Sequence, residues 1–134
     1  MRSDIITAIT AAAPTGFTVT ETLPWDKDGA PLYLNNPKKI YIDQAQTTQD
    51  PIIDTLDGTG VSQETTTVSA YVVTDAKQLP TGYDSLVTAV KAVRLNSAIT
   101  GYTQRSTEVG TEFNADRLVT EFVFNFTKLI NNSQ

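Results

Sequence analysis

The segment 117–130 constrains this chain more than any other. Side chains alternate across a β-strand, so Leu118, Phe122, Phe124 and Phe126 fall on one face and Val119, Glu121, Val123, Asn125 and Thr127 on the other. The first face holds three of the chain's five Phe and reads as core; the second is mixed and reads as half wet. A slip of one residue would exchange the two faces, so the pattern fixes both a sheet and its register.

The other elements follow from their own periods. Ile5, Ile9 and Ala12 or Ala13 recur at helical spacing, with Ser3 as the expected cap, Asp4 in the first turn, and Pro14 and Gly16 as the stop. Phe17, Val19 and Leu23 alternate as a short strand, and Ile40 and Ile42 place a second strand over 38–46. Turns are expected at 24–29 and 35–37, with 32–34 as a short strand or a covering loop. The polar stretch from Thr47 to Gly60 reads as a long exposed loop or a projecting hairpin. Residues 62–74 follow as a strand with Val68, Ala70 and Val72 on one face and Tyr71 and Val73 on the other. Thirteen extended residues span roughly 43 Å, more than one small core needs. Tyr83, Leu86, Val87, Val90 and Val93 form an amphipathic helix ending near Leu95, with Asn96 as the expected left-handed stop. A strand then begins near Ile99, and 109–116 is expected to hold the reversal into the last strand. The order predicts one domain over 1–134. Its class is α+β, a mostly antiparallel mixed sheet with two helices packed on one face, long strands and a projecting hairpin.

Composition removes several chemistries. The chain has no Cys and no His, hence no disulfides, no usual zinc ligands and no near-neutral imidazole base. The net charge of −5 is concentrated: no Lys or Arg lies between Lys39 and Lys77, where Asp43, Asp50, Asp54, Asp57, Glu64 and Asp75 give −6 and leave +1 for the remainder. No basic patch for nucleic acid is visible. The first residues weakly imitate a signal peptide, but Asp4 interrupts them, and no stretch approaches the ~20 apolar residues of a membrane span.

Local motifs are equally restrictive. The Asp-Gly pairs at Asp28 and Asp57 resemble pieces of calcium loops, yet the twelfth position from Asp26 is Pro37 and from Asp54 is Thr65, so both read as turns. There is no phosphate-binding G-x-x-x-x-G-K loop, and no pair of carboxylates stands out for hydrolysis. The sole Trp, Trp25, is either turn packing or an interface anchor. Arg105, Glu108, Glu112, Asp116 and Arg117 surround the last reversal, either as solvated cross-strand pairs or as a charged subunit-contact surface.

One pattern reaches further. A Thr-rich strand ends in Ala70-Tyr71-Val72-Val73-Thr74. The helix that starts Tyr83-Asp84-Ser85-Leu86-Val87 follows, then Gly101-Tyr102 with an Arg and acids, and finally Ala115-Asp116-Arg117-Leu118-Val119-Thr120-Glu121-Phe122-Val123-Phe124. This order resembles the tail terminator proteins of long-tailed, lambda-like bacteriophages. The resemblance covers most of the chain in element order; the 24–37 stretch and the Thr content exceed the family's. It implies a structural virion protein without cofactor or catalysis, made in the host cytoplasm and carried at the head-proximal end of the tail. It also implies a hexameric ring that ends the tail tube and meets the neck of the head, with DNA passing through its lumen unbound. On that reading Asp50, Asp54 and Asp57 face the lumen or a partner. The alternatives are another head–tail joining or tail-tube protein, or, in a different class, a secreted β-rich binding module.

Overall fold

The computed structural model describes residues 2–13, 17–21, 25, 39–54, 60–77, 82–97, 99–114 and 116–131, apart from the side chains at 51–54, 60, 114 and 131. Apart from Trp25, the turns expected at 24–29 and 35–37, the helix stop at Pro14 and Gly16, the 32–34 segment and Asp57 lie outside these residues. The elements are α1 (Arg2–Ala12), β1 (Thr18–Thr20), β2 (Lys39–Ile42), β3 (Gln46–Asp54), β4 (Gly60–Asp75), α2 (Tyr83–Lys91) continued by a 3-10 turn (Ala92–Leu95), β5 (Gln104–Asn114) and β6 (Arg117–Asn131). The α+β reading holds: six strands form one mixed sheet, and both helices lie on one face. Among the described residues no helix is long and apolar enough to cross a membrane.

The sheet is built on β4 and β6, which pair antiparallel from Val61↔Asn131 to Asp75↔Arg117. The 16 residues of β4 extend over roughly 53 Å. Along its other edge β4 takes two strands end to end. β2 pairs with its second half, from Lys39↔Val73 to Ile42↔Ala70, and β3 pairs with its first half, from Gln46↔Thr67 to Asp54↔Gly60. The strand expected over 38–46 is therefore interrupted at 43–45, where the chain leaves one half of β4 and joins the other. In the described part of the Thr47–Gly60 stretch, 47–54 belong to β3, which pairs antiparallel with β4 in a hairpin arm. β1 adds in parallel to β2, which makes the sheet mixed, and β5 closes the far edge on β6.

The core lies between sheet and helices. Opposed residues share a face, so Ile40 and Ile42 of β2, Val68, Ala70 and Val72 of β4, and Phe122, Phe124 and Phe126 of β6 form one apolar surface. α1 places Ile5, Ala8 and Ile9 on it at i, i+3 and i+4; α2 adds Leu86 and Val90, and the 3-10 turn adds Val93. Each helix is short for independent stability, so its persistence depends on this packing. Tyr83, at the start of α2, hydrogen-bonds through its hydroxyl to the buried Thr120 hydroxyl at 2.6 Å.

The helix ends differ from expectation. Ser3 lies inside α1, its carbonyl accepting the Thr7 hydroxyl at 2.9 Å, because the helix already begins at Arg2. The Arg2 guanidinium fastens that end to the sheet: Nε donates to the Asp43 carbonyl at 2.7 Å, while Nη2 donates to the Ile42 and Glu21 carbonyls at 3.0 and 3.1 Å. Asn96 is extended (φ −60°, ψ 130°) and not left-handed. Left-handed geometry falls on Gly82 at the start of α2 and on Gly101. A left-handed stop at Asn96 is unnecessary because side chains satisfy the carbonyls there. Arg94 and Thr107 donate to the Lys91 carbonyl at 2.7 and 3.1 Å, and Arg105 donates to the carbonyls of Arg94, Asn96 and Ile99.

The last hairpin is also corrected. Residues 109–114, expected to hold the reversal, continue β5 in register with β6 as far as Asn114↔Arg117. Gly110 sits within the strand without positive φ, so it does not turn the chain. The start of β6 pairs on both sides, with Asp75 and with Asn114, and ends level with β4. The overhang is at the opposite end. Beyond Val68 and Phe126 the helix-side face turns mainly polar, with the half-buried Ile130 opposite the buried Ser62: Thr47 meets Thr66 at 3.1 Å, Gln49 donates to Glu64 at 3.0 Å, and Lys128 pairs with Glu64 at 3.6 Å. An arm of three strands, β3, β4 and β6, thus runs beyond the apolar core.

Candidate interaction surface

The sheet face turned away from the helices carries the features that the core does not use. Tyr41, Tyr71, Val73 and Val119 form a second buried cluster there, and the half-buried Trp25 packs against it. Trp25 stands edge-on to Tyr71, ring centroids 5.1 Å apart at 80°, in the favoured T-shaped geometry. Lys39 Nζ lies 5.5 Å from the centroid of Tyr41. The β6 face that reads as half wet is in fact uneven. Val119 is buried under this aromatic cover, whereas Glu121 and Val123 are half-buried.

Beside the cluster is a cavity of about 170 Å³, lined by Trp25, Tyr71, Gly110, Glu112, Val119 and Glu121. Register explains it. Glu121 stands between Tyr71 on β4 and Gly110 on β5, and Glu112 is opposite Val119. Where every other pair would fill the space with a side chain, Gly110 leaves it open.

The Tyr71 hydroxyl is pushed up to about 12, first by burial, then by the Glu121 carboxylate that accepts its hydrogen bond, and by the negative charges of Glu121 and Asp43. Burial also raises Tyr41. In the unfolded chain tyrosine releases its proton near pH 10. Between about pH 10 and 12 the folded state therefore holds more protons than the unfolded one, and stability falls as pH rises through that window. The contribution is complete below about pH 10. Urea unfolding from pH 9 to 12 is expected to show this decline, and Tyr71→Phe to flatten it; equal slopes in the two proteins would contradict the assignment.

Of the nine residues singled out in the sequence, the eight among the described residues do not form one site. Trp25 and Glu112 meet at the cavity, and Glu108 is exposed two residues from Gly110 on the same face. Arg105 is turned to the helix side, where its guanidinium is engaged by the carbonyls that follow α2. Asp116 is exposed and pairs with Lys77 at 3.4 Å, a contact of the kind that contributes little. Arg117 is half-buried at the start of β6. Asp50 is exposed on the arm opposite Gln63, and Asp54 is opposite Gly60 at its end. Gln63 and Val73, the β4 partner of Val119, are ten residues apart, so arm and cavity are separated by roughly 33 Å.

Sequence reasoning missed Glu121, Tyr71 and Gly110 as lining residues and Arg2 as a clamp. Alternation put Glu121 and Tyr71 on outward faces, but only the β5–β6 register sets Gly110 opposite Glu121. Among the described residues no three His, Cys, Asp or Glu side chains are grouped so as to hold a metal ion. No protein-family model matches the chain, and a search of curated proteins finds no match.

Proposed function

We propose that this chain is a ring-forming structural subunit of a long-tailed phage, a tail terminator that ends the tail tube and joins it to the neck. The observation that carries the reading is a sheet longer than its core. The arm of β3, β4 and β6 extends past the Val68 and Phe126 layer on which the helices pack, with mainly polar contacts on its helix side. β3 and β5, of 9 and 11 residues, form opposite edges of the sheet, each paired on one side only among the described residues. Long edges invite pairing with another chain, and a closed cyclic contact removes them without leaving a growing end. The resemblance in element order to lambda-like tail terminators supplies the identity of the ring. The acidic segment between Lys39 and Lys77 maps onto β2, β3 and β4 and suits a lumen that neutralises no DNA phosphates.

The behaviour of the ends tests the terminator reading. Electron microscopy of the concentrated protein is expected to show single rings or stacked pairs of rings. Open tubes of varying length would reject a terminator in favour of a tube subunit.

A further inference from the structure

We propose that the cavity between Trp25 and Glu121 receives an arginine side chain presented by a partner protein. Its size decides the class of guest. At about 170 Å³ it is smaller than the roughly 300–1,000 Å³ of small-molecule sites, and it suits the end of one side chain. Its walls decide the chemistry. Trp25 and Tyr71 supply aromatic surface, and Glu112 and Glu121 supply carboxylates. A guanidinium is flat, stacks on aromatic rings and binds carboxylates through two parallel hydrogen bonds, which an ammonium does not do.

Charge points the same way. Elsewhere in the fold Glu21 pairs with Arg2, Glu64 with Lys128 and Asp116 with Lys77. Among the described residues no basic side chain pairs with Glu108, Glu112 or Glu121, which share one face around Gly110. Glu121 accepts the Tyr71 hydroxyl, and a carboxylate has capacity for further donors. Gly110 keeps the entrance clear: a Cβ placed there would meet nothing within 4 Å. The proposal does not depend on the ring reading, since a monomer would carry the same cavity.

Trp25 is the chain's only Trp and lines the cavity, so its fluorescence reports occupancy directly. Titration with N-acetyl-arginine amide is expected to give a saturable change in emission that weakens with salt. The citrulline analogue, of the same shape but uncharged, should give none. Glu112→Gln, at an exposed position, should fold normally and weaken arginine binding about tenfold, the equivalent of one charge-assisted contact. Gly110→Val places a strand-favouring residue where space exists, so the variant should fold and lose the response. Circular dichroism and urea unfolding verify the fold of each variant. A citrulline response equal to that of arginine, or unchanged arginine binding in folded Gly110→Val, would overturn the proposal.

Discussion

Phe124→Ala is expected to cost about 3–5 kcal/mol of folding stability, the range for removing a large buried aromatic side chain. Phe124 is fully buried on β6, between β4 and β5, opposite Val68, and stacks on Phe122 with centroids 6.5 Å apart and ring planes 12° apart. α1 and α2 pack on the same apolar surface, so a void there loosens both helices as well as the sheet. Phe113→Ala provides the contrast. Phe113 is on the same sheet face but near the end of the β5 edge, and it is 70% exposed. Its loss should change stability by no more than about 0.5 kcal/mol. Urea unfolding of the two variants measures the difference, and comparable losses would show that the helix-side core is misplaced.

Arg105→Ala is expected to cost roughly 2–3 kcal/mol, because a charged donor to three backbone carbonyls is lost, of which Asn96 keeps the Ile99 N–H at 3.1 Å. The guanidinium donates to Arg94 and Asn96 at 3.1 and 3.3 Å and also to Ile99. Arg105→Lys should recover little of this, since an ammonium cannot fan out as a planar fork does. This experiment separates the two readings of Arg105. If it served only a contact with another subunit, unfolding of the isolated chain would be unchanged and only association would weaken.

The fold was legible in the sequence wherever one face had to be apolar. The alternation through Phe122, Phe124 and Phe126 and through Val68, Ala70 and Val72 recovers the central ladder, and the Leu86–Val90–Val93 spacing recovers α2 and its 3-10 continuation. It misled where Gly, Asn and polar residues interrupt the apolar alternation. Residues 109–114 carry Gly110, Thr111, Glu112 and Asn114, which local preference assigns to a turn, yet pairing with β6 keeps them extended. The polar stretch from Thr47 to Gly60 leaves loop and hairpin open for the same reason; pairing of its described residues 47–54 with β4 favours the hairpin. The end of α2 was misread because Arg105, ten residues beyond the 3-10 turn, supplies the cap that local sequence assigned to Asn96.

The cavity was legible only in pieces. Trp25 and Glu112 attracted notice singly, as an isolated aromatic residue and one acid of a charged hairpin. Their meeting depends on β4, β6 and β5 lying side by side, with Tyr71, Glu121 and Gly110 in one cross-strand row. That row joins residues far apart in sequence, and no local pattern encodes it.

The central functional claim is that the extended sheet makes a closed ring. Native mass spectrometry of the intact protein across a concentration series tests it most directly. The reading predicts one discrete closed oligomer, a hexamer by the family resemblance, whose mass stays constant as concentration rises. A strict monomer throughout, or a ladder of masses that lengthens with concentration, would contradict it.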